Sequence, residues 1–219
     1  MPFDPCSPHS AYASYRLPTW MALATLVLLA LAAASGSAQE DPAGTLVGRI
    51  IDSEGTPIAA RLYVEDSAGN LHLVSPADAD GDCAPYSVDR GLSREIHTAV
   101  SPHPFRAQLP AGSYRLTAER GKEFRPTTVT VEVTADKQVE VSLQLDRWIS
   151  MAERGWFSGD THVHLPLERC AAAQRAEDLN VAIPLTYWVT DTAHAPSRNN
   201  KAEPPIRSEL IVTGPDCVI

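Results

Sequence analysis

From Gly44 to about Leu145 apolar residues recur at every second position, in short runs broken by turn residues. A period of two puts alternate side chains on opposite faces of a strand, so these roughly 100 residues are committed to an antiparallel sandwich. "TLVGRIID" is followed by "SEGTPI", where Gly55 and Pro57 supply turn dihedrals, and "ARLYVED" runs through "SAGN" into "LHLVS". "FRAQLPAGSYRLTAERG" repeats the pattern around Pro110, Ala111 and Gly112. "TTVTVEV" and "KQVEVSLQL" then alternate Val and Leu with polar residues on either side of "TADK". About seven strands fit, enough for a core of their own.

The middle stretch, "PADADGDCAPYSVDRGLSREIHTAVSPHP", is rich in Pro and Asp and has little periodicity, so it reads as an excursion from the sandwich and not as a further strand pair. Asp78, Asp80 and Asp82 have the alternate spacing of a calcium loop. The sixth position, however, is Cys83 where such a loop needs glycine, and no helical pattern flanks it; a solvated acidic loop is the expectation.

After "LDRWISMAERGW" the grammar changes. Residues 157 to 163 read as a strand, and "LERCAAAQRAEDL" at 167 to 179 as an Ala-rich helix with Pro166 suited to its first turn. "NVAIPLTYW" then reads as a buried strand beginning after Asn180. Strand, helix and strand make the opening of an α/β domain. Arg147 and Trp148 mark the seam between the two parts. Trp148 and Trp156 there, with the charged "RGKEFRP" around Phe124, suggest packing between the parts beside a solvated charged turn.

Of the 219 residues 44% are hydrophobic and 21% charged, as in ordinary globular proteins, and the formal charge of −9 with no basic run excludes a nucleic-acid-binding surface. "MALATLVLLALAAA" at 21 to 34 is uncharged, too short for a membrane span and followed by small residues at Gly36 and Ala38. Residues 1 to 38 therefore read as a cleaved secretory signal, which implies a secreted or periplasmic protein with no membrane span after cleavage. Cleavage would leave Cys83, Cys170 and Cys217, without C-x-x-C spacing; a pairing of Cys83 and buried thiols are both open.

The chemistry-bearing stretch is "GWFSGDTHVHLPLE", residues 155 to 168. In an extended strand Asp160, His162 and His164 project to one face, about 7 Å apart per step of two. Where Pro166 bends the chain, two imidazoles could converge on one zinc, manganese or iron ion, and a neighbouring carboxylate could ligate or orient them. The C-terminal end of the first strand of a βα unit is where α/β folds place their sites. No H-E-x-x-H, G-x-S-x-G or phosphate-cradling Gly loop is present.

"RWISMAERGWFSGDTHVH", followed by "RAEDLNVAIPLTYW", resembles the start of the catalytic domain in the carbaryl-hydrolase-like branch of the PHP (polymerase and histidinol phosphatase) metallohydrolases. The preceding "LPAGSYRLTAERGKEFRP" and the Val-rich strand pair resemble the prealbumin-like, carboxypeptidase-regulatory-like sandwich that precedes that domain in secreted members. The resemblance covers about residues 44 to 190. It implies a distorted α/β barrel whose first strand ends in a metal pair, His162 and His164, supported by Asp160, and which hydrolyses phosphoesters, esters or carbamates of small-molecule substrates. At the end of the second strand, where many such enzymes carry Thr-Asp-His, the sequence reads "LTYWVTDTAH", with Asp191 and His194 as candidates.

The expected organisation is a signal at 1 to 38, a sandwich at 44 to 146 and the N-terminal fragment of a PHP-like domain at 155 to 219. The expected function is that of a truncated metal-dependent hydrolase with little activity as this chain, since a full barrel needs roughly 200 residues. The alternative is a secreted, non-catalytic binding module that meets a cell-surface partner and carries a vestigial tail.

Overall fold

Leu46, Gly48 and Ile50 turn inward on the first strand while Thr45, Val47 and Arg49 turn outward, the alternation that the sequence shows. The computed structural model describes residues 42–89, 91–185, 211–214 and 217–219; the expected signal, Asp191 and His194 lie outside the described residues.

The sandwich is built from β1 (Ala43–Asp52), β2 (Ala60–Asp66), β3 (Leu71–His72), β4 (Ser75–Pro76), β5 (Cys83–Asp89), β6 (Arg94–Val100), β7 (Phe105–Pro110), β8 (Gly112–Glu119), β9 (Phe124–Arg125), β10 (Thr127–Val133) and β11 (Gln138–Arg147). One sheet has the order β4-β7-β1-β11-β9; the other has β10-β8-β2-β6-β5, with β3 beside β2. Leu46, Ile50, Leu62, Val64, Phe105, Leu109, Leu116, Leu143 and Leu145 fill the space between them. Gly48 lies opposite Phe105, and a Cβ on it would stand 2.2 Å from the ring, so the aromatic occupies the place of a missing side chain. Tyr114 is buried and donates its hydroxyl at 2.9 Å to the Pro110 carbonyl oxygen, tying the start of β8 to the turn before it.

Three features depart from the expected layout. Residues 83–89 and 94–100 are paired antiparallel, β5 with β6, and are not an excursion. The period of two is hidden because Ile96 to Val100 are buried without interruption: Val100 joins the sandwich core, and His97 and Ala99 on the other face are covered by the helix described below. The first and last sandwich strands, β1 and β11, pair in parallel from Thr45↔Gln138 to Asp52↔Leu145, so the sandwich is not purely antiparallel. Finally, the Val-rich strand pair on either side of "TADK" is divided between the two sheets. β10 pairs with β8 and β11 with β1, and the chain crosses between sheets at Asp136, which adopts φ 58°.

The Asp78 carboxylate accepts from the Gly81 N–H at 2.8 Å, which shapes the acidic loop as a turn. Cys83 packs against the core, where burial, with Asp82 beside it, pushes its thiol up to about 12. Cys83, Cys170 and Cys217 form no disulfide with one another.

A smaller lobe follows. β12 (Gly159–Val163), α1 (Leu167–Ala176) and β13 (Val181–Pro184) form a strand-helix-strand unit in which β12 and β13 are parallel. β15 (Cys217–Val218) and β14 (Val212–Gly214) extend the sheet in the order β12-β13-β15-β14. α1 packs against β2, β5 and β6 on one side and β13 and β14 on the other. Its small residues Cys170, Ala172 and Ala176 allow this and are buried, as is the hydrogen-bonded Gln174, so "CAAAQRA" is a helix held between two sheets and not an amphipathic surface helix. Sandwich and lobe make one compact unit.

Candidate functional site

The lobe is anchored by a charged seam. Arg120, on the turn after β8, donates to the Ala59 carbonyl oxygen, to the Arg175 carbonyl oxygen at 2.6 Å and to Asp178 Oδ1 at 2.6 Å. Arg147 donates to Asp178 Oδ2 at 2.7 Å and pairs with Glu123. The Phe124 ring lies against both guanidinium groups, 5.3 Å from that of Arg120 and 4.2 Å from that of Arg147. Gly121, at φ 50°, lets the turn approach the end of α1, since a Cβ there would stand 2.5 Å from the Glu177 carbonyl oxygen. The "RGKEFRP" turn therefore joins the two parts through Arg120, Glu123 and Phe124, while Lys122 and Arg125 stay exposed as the sequence suggests. Trp148 (56% exposed) and Trp156 (70%) contribute less to the seam, and Phe157 (65%) is similarly open.

Within the lobe, the start of the sheet is set by Ser158 and Asn180. Asn180 Oδ1 accepts from the Ser158 N–H at 3.0 Å, and the Asn180 N–H returns to the Ser158 carbonyl oxygen at 3.1 Å. The buried Gln174 amide of α1 donates to the carbonyl oxygens of Asn180 (3.1 Å) and Val218 (2.9 Å), which holds β13 and β15 to the helix.

This frame carries His162 and His164 to the C-terminal end of β12. Both are exposed, with ring centroids 4.8 Å apart and ring planes inclined at 47°. The pairing of β12 with β13 is irregular between Asp160 and Val163, three residues on one strand spanning two on the other. Such a bulge changes which face successive side chains take. Asp160 consequently lines a cavity together with Val163 and Leu165, and its Oδ1 accepts from the His162 N–H at 2.9 Å. The structure thus brings His162 and His164 together and gives Asp160 a backbone contact that fixes the bend, instead of the common face that strict alternation predicts. Among the described residues no three His, Cys, Asp or Glu side chains are gathered as one ion-holding group.

The cavity, about 210 Å³, lies between β5 and β6 of the sandwich and the lobe. His97, 7% exposed, stands in its wall with its ring stacked on Tyr86 at 4.8 Å; burial holds its imidazole below the ordinary value. Glu177 enters from the end of α1, where burial raises its carboxyl and Arg61 Nε stands 3.1 Å from Oε1. Sequence reasoning missed His97, Glu95 and Glu177. The one available signal was "REIHTAV", a strand pattern with an imidazole at its centre.

No protein-family model matches the chain, and no curated protein matches it in sequence. Solved structures similar to it include a minor pilin of Streptococcus agalactiae, at 14% identity and TM-score 0.36 over 50% of this chain and 46% of that one. A DUF3823 family protein of Parabacteroides merdae is similar at 18% identity and TM-score 0.29 over 51% and 49%. Phospholipase PlaB of Legionella pneumophila is similar at 14% identity and TM-score 0.30 over 49% and 25%. The chain spans about half or less of the length of each. Likenesses this slight say nothing of activity.

Among the described residues no helix is long and apolar enough to cross a membrane.

Proposed function

We propose that the chain is a secreted β-sandwich module carrying the opening strand of a PHP-type metal-dependent hydrolase. His162 and His164 are two ligands of a divalent zinc, manganese or iron ion, and the chain by itself holds the ion but turns over little substrate. The observation that supports this reading is the pair of exposed imidazoles, 4.8 Å between centroids, at the C-terminal end of a strand that lies parallel to its neighbour across a helix. Two neutral imidazoles fit two positions of a zinc-type donor set. Asp160 contributes by holding the strand's bend through the His162 N–H.

A bound ion of this kind would polarise a carbonyl or phosphoryl oxygen and acidify water.

The test is metal content of the purified chain lacking residues 1–38, beside its His162→Ala/His164→Ala variant, after equilibration with zinc, manganese or ferrous ion and dialysis. A near-stoichiometric ion that the double variant loses supports the reading. Equal metal in both, or none in either, overturns it.

A second reading has its own observation. Trp148, Trp156 and Phe157 are more than half exposed on the segment that joins sandwich to lobe, which suits a non-catalytic module with a cell-surface partner. Binding of the labelled chain to intact cells, abolished by Trp156→Ser/Phe157→Ser, would support it; binding unchanged in that variant would count against it.

A further inference from the structure

We infer that the cavity between the sandwich and the lobe is a binding site for a small organic cation, a primary ammonium group on a compact apolar body, separate from the histidine pair on β12. Three observations carry this.

The first is a buried ring nitrogen without a hydrogen-bond partner, an acceptor in the tautomer that carries its proton on Nε2. His97 is 7% exposed, lines the cavity, and its Nδ1 has no hydrogen-bond partner. Glu95 Oε1 stands 3.4 Å from that nitrogen without the geometry of a hydrogen bond. A buried polar atom left unmatched costs about 1–3 kcal/mol, so such atoms ordinarily face something that completes them. An ammonium N–H group placed between the imidazole nitrogen and the carboxylate completes both.

The second is charge. Glu95, Asp160 and Glu177 all line the cavity. Arg61, the guanidinium beside it, is engaged with Glu119 at 2.8 Å and with Glu177 at 3.1 Å. Among the described residues the Glu95 side thus offers acceptors and negative charge with no Lys or Arg paired to it, and an anionic ligand would be repelled.

The third is the remaining wall. Val163 and Leu165 of the lobe, with the Tyr86 ring stacked on His97, give the cavity an apolar body and an aromatic side. An apolar cavity of about 150 Å³ holds a benzene ring. At about 210 Å³ this one accommodates a single ring with an aminomethyl group, and it lies below the size that takes drug-like molecules.

The test uses the purified chain and three probes of one shape: benzylamine, benzyl alcohol and benzoate. Binding is followed by titration calorimetry near pH 7.5 and by the chemical shifts of the Tyr86 and His97 rings. Benzylamine is expected to bind saturably and to shift both rings, with benzyl alcohol and benzoate at least tenfold weaker. Glu95→Gln, a change at a part-exposed side chain that leaves the fold intact, is expected to weaken benzylamine at least tenfold. The His162→Ala/His164→Ala variant should bind it unchanged, which separates this site from the proposed metal pair. Equal binding of amine and alcohol, unchanged binding in Glu95→Gln, or no binding of benzylamine to the folded chain would each overturn the assignment.

Discussion

The guanidinium of Arg120 donates at 2.6 Å to the carbonyl oxygen of Arg175, closing the last turn of α1 with a cation that belongs to the sandwich. Helix C-termini present unpaired carbonyl groups and partial negative charge, so a cation there satisfies both. The same guanidinium then binds Asp178, which Arg147 engages from the other side. One carboxylate therefore bridges two arginines at the seam, with Glu123 as a second partner of Arg147.

Asp178→Asn tests that balance while keeping a residue that tolerates φ 56°. It leaves the part-buried Arg120 guanidinium without its anion, while Arg147 keeps Glu123, and is expected to cost about 3 kcal/mol. Urea unfolding followed by far-ultraviolet dichroism should show a lower midpoint and an earlier, separate loss of the helical signal.

Gly48→Val places branched atoms where the Phe105 ring lies. Overpacking of a fixed strand pair should destabilise by at least about 2 kcal/mol. Combining Gly48→Ala with Phe105→Leu should cost less than the sum of the single changes, as read in a double-mutant cycle.

Tyr114→Phe removes the hydroxyl that reaches Pro110 and keeps the ring. The expected loss is about 1 kcal/mol, visible as a shift in the thermal midpoint with the structure otherwise unchanged.

His97 makes stability depend on pH. Burial lowers its folded value below the ordinary 6.5, Arg61 acts in the same direction, and Glu95 opposes them. The unfolded chain therefore binds the proton more readily, so this contribution is present above about pH 6.5 and is lost as pH falls through the depressed value. Glu177, raised by burial, acts in the opposite sense above its ordinary 4.5. Stability measured against pH for the native chain and for His97→Phe should therefore run parallel above about pH 6.5, and below it the native chain should lose stability relative to the variant. Curves that stay parallel below it would remove His97 as the source.

Much of the fold was legible because one face of most sandwich strands meets water. Leu46 and Ile50, or Leu116 and Ala118, announce themselves by alternation with polar neighbours. The β5–β6 pair was not, because α1 buries the second face of β6 and erases the period; that cover is a tertiary fact with no local sign. The helix was legible in "LERCAAAQRA", yet it ends at Ala176, before the expected 179. Asp178 takes a left-handed turn, which an aspartate tolerates locally and which its two distant arginine partners hold in place. The meeting of His162 with His164 followed from their spacing. Asp160 did not follow, because a bulge depends on how β12 registers against β13 and not on the residues of β12 alone.

The two-sided burial of β6 has an evolutionary reading. An autonomous sandwich can be shuffled from gene to gene as a cassette, since its outer faces are already suited to solvent. Here His97 and Ala99 lie on an outer face that has come to depend on a helix from the next stretch of chain. The two segments are thereby indentured to each other: recombination at Trp148 would give a sandwich with a bare flank and a helix with no bed, and selection would keep the halves in one reading frame.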